Sequence, residues 1–149
     1  MAHPPLRIRF VKTLVLDLDD VLVHSSWTRQ RGWRSFKRPG VEDFLKHMAQ
    51  YYELVLYTDQ NSTYADPILD RIDPQRNISY RLYKNSTHYI DGKHVRDLSK
   101  LNRDPGRVLL LSCNPDAYSL QPENTIKVCA HACIIWSLRM TGLMCCYTQ

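Results

Sequence analysis

No stretch of this 149-residue chain approaches the roughly 18 consecutive apolar residues that a membrane-spanning helix needs. No secretory leader is legible either. Arg7, Arg9 and Lys12 stand near the start, but the apolar run behind them reads as a strand rather than the core of a signal peptide. The lead-in also lacks the amphipathic, Ser- and Arg-rich pattern of a transit peptide. We therefore expect a soluble domain, with residues 1–12 as a lead-in that carries no address. Five cysteines are an odd number, and four of them (Cys129, Cys133, Cys145 and Cys146) crowd the last stretch. That excludes the disulfide framework of a small secreted protein. Cys129, His131 and Cys133 lack the knuckle spacing and the second ligand pair of a zinc site. The basic excess, 20 Lys and Arg against 15 Asp and Glu for a formal charge of +5, permits an acidic partner. No nucleic-acid-binding motif accompanies it, so nucleic acid is not expected. Internal repeats, low-complexity segments and dividing linkers are absent too.

What is present is an ordinary globular balance, 44% hydrophobic and 23% charged, in a chain long enough for one domain with a real core. Its organising stretch is Leu14–Val23, an apolar run that ends in Asp17 and Asp19, with Asp20 next. Such a run suits a strand buried on both faces of a parallel sheet, over Thr13–Leu18. Ligands of open α/β sheets bind beyond the carboxyl ends of strands, so Asp17 and Asp19 would sit at the mouth of a crevice. Close carboxylates repel unless a cation or a shared proton relieves them. Two readings follow: a magnesium-dependent aspartate site, or a strand ending in a solvated acidic turn.

Further along, His24–Arg38 is a basic insert (Arg29, Arg31, Arg34, Lys37, Arg38) interleaved with Trp27, Trp33 and Phe36. With Gly32 to turn it, we expect a protruding hairpin or flap. Val41, Phe44, Leu45 and Met48 fall on one face of a helix, with Glu42 and Asp43 in its dipole-favoured first turn. Tyr52–Tyr57 reads as a second buried strand, with Thr58 and Asp59 at its end. The next helix is capped by Asn61 or Ser62, with Pro67 near its start or kinking it. Ser79–Tyr83 alternates as a short strand. Asp91-Gly92 signals a hairpin between Thr87–Ile90 and Lys93–Val95. Asp97–Leu101 reads as a helical turn, Arg107–Leu111 as a strong strand and Ile126–Val128 as a last one. Strand and helix alternate, which predicts an α/β fold with a doubly wound, mostly parallel sheet.

The strand ends then supply chemistry. Thr58 offers a hydroxyl for a phosphate oxygen, Arg96 a fixed cation for phosphate, and Ser112 only a poor magnesium ligand. A carboxylate nucleophile, a second carboxylate, a hydroxyl and a cation suffice in kind for phosphoryl transfer through an aspartyl-phosphate.

Asp17-Leu18-Asp19-Asp20-Val21-Leu22 resembles the first motif of the haloacid dehalogenase-like superfamily. Lys37-Arg38-Pro39-Gly40, Tyr64-Ala65-Asp66-Pro67 and Arg96-Asp97-Leu98-Ser99 resemble the FCP-homology domain of its small phosphatases, which act on the RNA polymerase C-terminal tail. Three longer stretches, Gly32–Val41, Leu98–Pro105 and Leu120–Asn124, are similar to the presequence-receptor subunits of the TIM translocase in the mitochondrial inner membrane, the Tim-fifty family. The match runs from Thr13 to Val128, the extent we expect for the domain.

The resemblance implies a Rossmann-type fold with a small flap. It makes Asp17 the ancestral nucleophile and Asp19 the ancestral general acid/base, both also at magnesium positions. Thr58 matches the second-motif hydroxyl. Arg96 replaces the third-motif lysine, and Ser112 replaces the fourth-motif aspartate, a metal-holding carboxylate. The expectation is therefore a non-catalytic presequence receptor without a cofactor; the alternative is an active phosphoprotein phosphatase using Mg2+. Implied partners are basic presequences and other translocase subunits, the channel-forming one included, with the domain facing the intermembrane space. A groove for presequences would draw on Asp20, Tyr57, Asp59, Tyr64 and Asp66 beside Asp17 and Asp19. The basic flap, with Arg31, Trp33 and Arg34, is better placed to meet a subunit or an acidic membrane surface. The family carries a transit peptide, a membrane span and a linker ahead of this domain, none of which is legible here. From Cys129 the likeness stops, and we expect residues 129–149 to be the diverged tail of a truncated product.

Overall fold

Five apolar segments in the computed structural model pair into one parallel sheet. The structure describes residues 12–128; the readings made above for the lead-in and for the Cys-rich tail lie outside them. The segments are β1 (Lys12–Leu16), β4 (Tyr52–Tyr57), β5 (Ile78–Leu82), β8 (Val108–Ser112) and β9 (Thr125–Lys127), in the order β5-β4-β1-β8-β9. Leu14 and Leu16 are buried on one face and Val15 on the other, which is why β1 reads as a continuous apolar run rather than an alternating one. Its register is fixed on both sides, Val15 lying against Val55 and Leu110.

The sheet is doubly wound. From β1 the chain passes through α1 (Val41–Met48) to β4, and through α2 (Ser62–Ile72) to β5, always moving to the same side. It then crosses to the other side of β1 for β8 and β9. Right-handed crossovers put α1 and α2 on one face. There Phe44, Leu45, Leu69 and Ile72 bury Leu14, Leu16, Leu54 and Leu56, each leucine worth about 1.5–3 kcal/mol of transfer free energy. The opposite face carries Val15, Val55, Tyr57, Val108 and Leu110, packed with Leu98, Leu101 and Tyr118. Those three come from short 3-10 turns at Leu98–Leu101 and Pro115–Tyr118.

Two hairpins stand off the sheet. The flap pairs β2 (Val23–Thr28) with β3 (Gly32–Lys37), with Trp27 directly across from Trp33. Gly32 has φ 68°, a left-handed value that suits glycine in a short hairpin loop. The second hairpin pairs β6 (His88–Ile90) with β7 (Lys93–Val95) around Asp91 and Gly92. Both of those residues have positive φ, 49° and 80°, as the tight mirror-image turn requires.

The end of the first strand needs correction. The first strand stops at Leu16 rather than Leu18. Asp17 Oδ1 accepts the Leu18 N–H at 2.9 Å, so a side chain replaces the ladder and bends the chain. Of the two placements expected for Pro67, near the start of the helix or within it, the structure shows the second, as the sixth residue of α2. Among the described residues no helix is long and apolar enough to cross a membrane.

Candidate functional site

The strand order reverses at the border between β1 and β8, the topological switch point where a doubly wound sheet opens a crevice. Asp17 leaves the end of β1 there, and Ser112 ends β8 beside it; the Asp17 N–H donates to the Leu111 carbonyl at 3.1 Å. A crevice of about 320 Å³ lies over this point, lined by Asp17, Asp19, Asp20, Asp59, Gln60, Arg96, Cys113 and Asn114. Four carboxylates thus face one guanidinium, on a chain whose overall charge is positive.

Asp17 is buried, with 3% of its surface exposed, and both of its oxygens are engaged. Oδ1 accepts from Leu18 N and from Arg96 Nη2, each at 2.9 Å, and Oδ2 accepts from Ser112 Oγ at 2.9 Å. Burial pushes its carboxyl up to about 6, against the opposing pull of Arg96 and Ser112. Arg96 is itself only 1% exposed. Its Nε donates to the Tyr57 carbonyl at 3.3 Å and its Nη1 to the His94 carbonyl at 3.4 Å, while Nη2 also lies 3.6 Å from Asp59. The guanidinium is therefore spent on protein acceptors rather than held out toward a phosphate.

Asp19 sits differently. Its Oδ2 accepts from Gln60 Nε2 at 2.7 Å, and its Oδ1 has only two long contacts, Ser25 Oγ and Tyr64 OH, both at 3.5 Å. Its carboxyl is raised, first by burial, against the Gln60 hydrogen bond, with Asp59 and Asp20 adding repulsion. Asp20 takes φ 59°. Its N–H donates to the Val23 carbonyl at 2.7 Å, its carbonyl accepts from buried Arg38 at 2.6 Å, and its carboxylate meets His24 at 2.8 Å.

The crevice thus gathers Asp17, Asp19, Asp20, Asp59 and Arg96 as the sequence suggested. Not every residue singled out in the sequence lines the crevice. Tyr57 is not a groove residue: it is 2% exposed, shares the opposite sheet face with Val55, and donates its hydroxyl to the Ser86 carbonyl. Thr58 is fully buried and does not line the crevice; its hydroxyl accepts the Gln60 N–H at 3.2 Å. Asp66 is committed to Arg81, at 2.8 Å, and to the Tyr83 hydroxyl; the Tyr83 bond, ahead of Arg81, holds its carboxyl below the usual range. Arg31, Trp33 and Arg34 lie on the exposed flap, away from the crevice lining. Tyr64 bridges the two regions, reaching Asp19 and the flap serines Ser25 and Ser35. Asp116, near the place of the missing fourth-motif aspartate, is paired with Lys93 at 2.7 Å. Sequence reading missed Gln60, Ser25, Ser35, Cys113 and Asn114. The flap register could have found the serines, since a turn at Gly32 sets Ser25 against Ser35.

Comparison with known proteins agrees with the geometry. The family model described as NLI interacting factor-like phosphatase matches residues 12–131. The TIM50 subunit of the mitochondrial import inner membrane translocase of Arabidopsis thaliana is 50% identical over 118 residues, 79% of this chain and 31% of the relative. The Homo sapiens subunit of the same name is 46% identical over 116 residues, 78% of this chain and 33% of the relative. The chain thus spans about a third of the length of these curated relatives. Among solved structures, Fcp1, an essential RNA polymerase II CTD phosphatase, superposes with a TM-score of 0.66 at 22% identity, over 83% of this chain and 43% of that one. That likeness shows the fold, a haloacid dehalogenase-like sheet. Fold, motif order and sequence agree: this chain belongs to the NLI interacting factor-like phosphatase family, in the company of the TIM50 translocase subunits.

Proposed function

We propose that the chain is the presequence-facing domain of an import receptor of the mitochondrial inner-membrane translocase, built on a phosphatase scaffold that no longer hydrolyses phosphate. One observation carries the loss of chemistry: both oxygens of Asp17 are capped, by Arg96 and Leu18 N on one side and by Ser112 on the other. A nucleophilic carboxylate needs a free oxygen aimed at phosphorus, and this one is held as a structural anion. The donor set does not suit magnesium either. Its octahedral oxygen shell is usually built on carboxylates and waters, yet Arg96 occupies the charge-neutralising position beside Asp17 and a neutral serine faces the other oxygen. We therefore assign no cofactor.

Binding chemistry remains. Asp19, Asp20 and Asp59 give the crevice a surplus of negative charge, and a presequence is a basic amphipathic helix. The likeness to the TIM50 subunits supports assigning the domain to the inner-membrane translocase. In it the domain faces the intermembrane space, and the aromatic, basic flap meets another subunit, the channel-forming one included, rather than the presequence, whose charge it would repel. The test has two arms. The full chain, with Mg2+, is expected to leave an aryl phosphate unhydrolysed, and a labelled basic amphipathic peptide is expected to bind with an affinity that falls as salt rises. Turnover that disappears in Asp17→Asn would overturn the loss of chemistry, and a peptide that binds no better than its acidic counterpart would overturn the receptor.

A further inference from the structure

Three hydroxyls join the flap to the crevice. Ser25 and Ser35 are partners across the flap ladder, and Tyr64 rises from α2 beneath them. Their oxygens form a triangle: Ser25 to Tyr64 at 2.6 Å, Ser25 to Ser35 at 2.9 Å and Ser35 to Tyr64 at 3.1 Å. Asp19 Oδ1 lies at one corner, 3.5 Å from both Ser25 Oγ and Tyr64 OH. Each hydroxyl has one proton to donate. Five contacts therefore compete for three protons. The protons either circulate round the triangle, or one of them is drawn out to the carboxylate and one side of the triangle opens.

We propose that this triangle is a latch that reports occupancy of the crevice to the flap. An ionised Asp19 with no cation beside it draws a hydroxyl proton, because hydrogen bonds to a charged acceptor are the stronger ones. When a cationic side chain pairs with Asp19, the proton returns and the flap gains one more bond to α2. Two sides of the triangle run between the flap and α2, so the gain falls on that junction. By reciprocity, a partner that holds the flap against α2 tightens the crevice for its cation. The ligand half of this inference rests on the receptor reading above; the latch itself does not.

Hydrogen exchange of the flap amides, over Val23–Thr28 and Gly32–Lys37, in the full-length chain tests it. Asp19→Ala removes the competing acceptor without any ligand. It is expected to slow flap exchange about fivefold, the factor that corresponds to one net hydrogen bond. The same substitution in a Tyr64→Phe background is expected to slow nothing, since the flap then has no hydroxyl on α2 to close on. In the parent chain, a saturating basic peptide is expected to slow the flap as Asp19→Ala does. Unchanged or faster exchange in Asp19→Ala, or equal slowing with and without the Tyr64 hydroxyl, would overturn the latch. A parent chain that ignores basic peptides would overturn the receptor reading alone, because the substitution arm contains no ligand.

Discussion

Asp17 and Asp19 leave one strand end two residues apart and meet opposite surroundings. Asp17 is sealed between Arg96 and Ser112, with 3% of its surface exposed. Asp19 is half-buried, anchored on one oxygen by Gln60 and nearly free on the other. Identical side chains have become an internal counter-ion and a surface acceptor. What divides them is the set of donors that the β8 end and the β7 end bring up from behind, not their own chemistry. The proposed loss of phosphatase chemistry rests on the first of the two: aspartyl-phosphate chemistry calls on the first carboxylate as nucleophile and on the second to trade a proton, and Asp17 has both oxygens engaged.

The contrast can be broken most sharply at Arg96. Arg96→Ala leaves Asp17 buried without its cation, and a buried charge stripped of its partner costs about 3–5 kcal/mol. We predict a loss of that order in urea unfolding at pH 8. Replacing both partners, Arg96→Met with Asp17→Leu, should recover most of it, giving a clear coupling in a double-mutant cycle.

A second effect follows from pH. The carboxyl of Asp17 lies near 6 when folded, against 3.8 for the free side chain. The folded state therefore binds this proton more tightly than the unfolded chain. Its contribution is complete below about pH 4 and is lost as pH rises through 6, at most about 3 kcal/mol across that window. Asp19 is raised too and tilts the curve the same way. Asp17→Asn should flatten the difference in unfolding free energy between pH 4 and pH 7.5. A parent and a variant with parallel curves would show that Asp17 is ordinary.

Asp19→Asn is expected to sharpen the comparison from the other side. Stability should change by less than about 1 kcal/mol, in line with a half-exposed polar site, while affinity for a basic peptide falls about fivefold or more. The smallest effect belongs to the flap tip. Trp33→Ala removes a side chain that is 74% exposed and should leave the unfolding midpoint almost unmoved, within about 0.5 kcal/mol.

The sheet was legible because its strands are short apolar runs bounded by turn residues: β4 is read to the residue, and Asp91-Gly92 specifies its hairpin. Where a side chain takes over a backbone bond, as Asp17 does for Leu18, no pattern of hydrophobicity marks the end of the strand. The crevice was half legible. Asp17, Asp19, Asp59 and Arg96 stand at strand or turn ends, where topology collects them. Tyr57 was misplaced because Leu54–Tyr57 is buried on both faces, so hydrophobicity does not alternate there and does not show which face a residue takes. Gln60, Ser25 and Ser35 are ordinary polar residues whose part depends on register, and register is a property of two segments at once.

The central strand of the sheet is also the first to leave the ribosome. β1 can zip against β4 once the chain some forty residues beyond it is out, as Val15 meets Val55. Its other neighbour must wait: the Arg96 and Ser112 bonds to Asp17 span 79 and 95 residues of chain. Distant pairings bear the larger closure entropy and assemble late. Until β8 arrives, the middle of the sheet is an open edge with a hydrated carboxylate at its tip. The growing chain is therefore most exposed to misassociation between the emergence of β4 and that of β8, and the pairing of β8 with β1 is the step that ends that exposure.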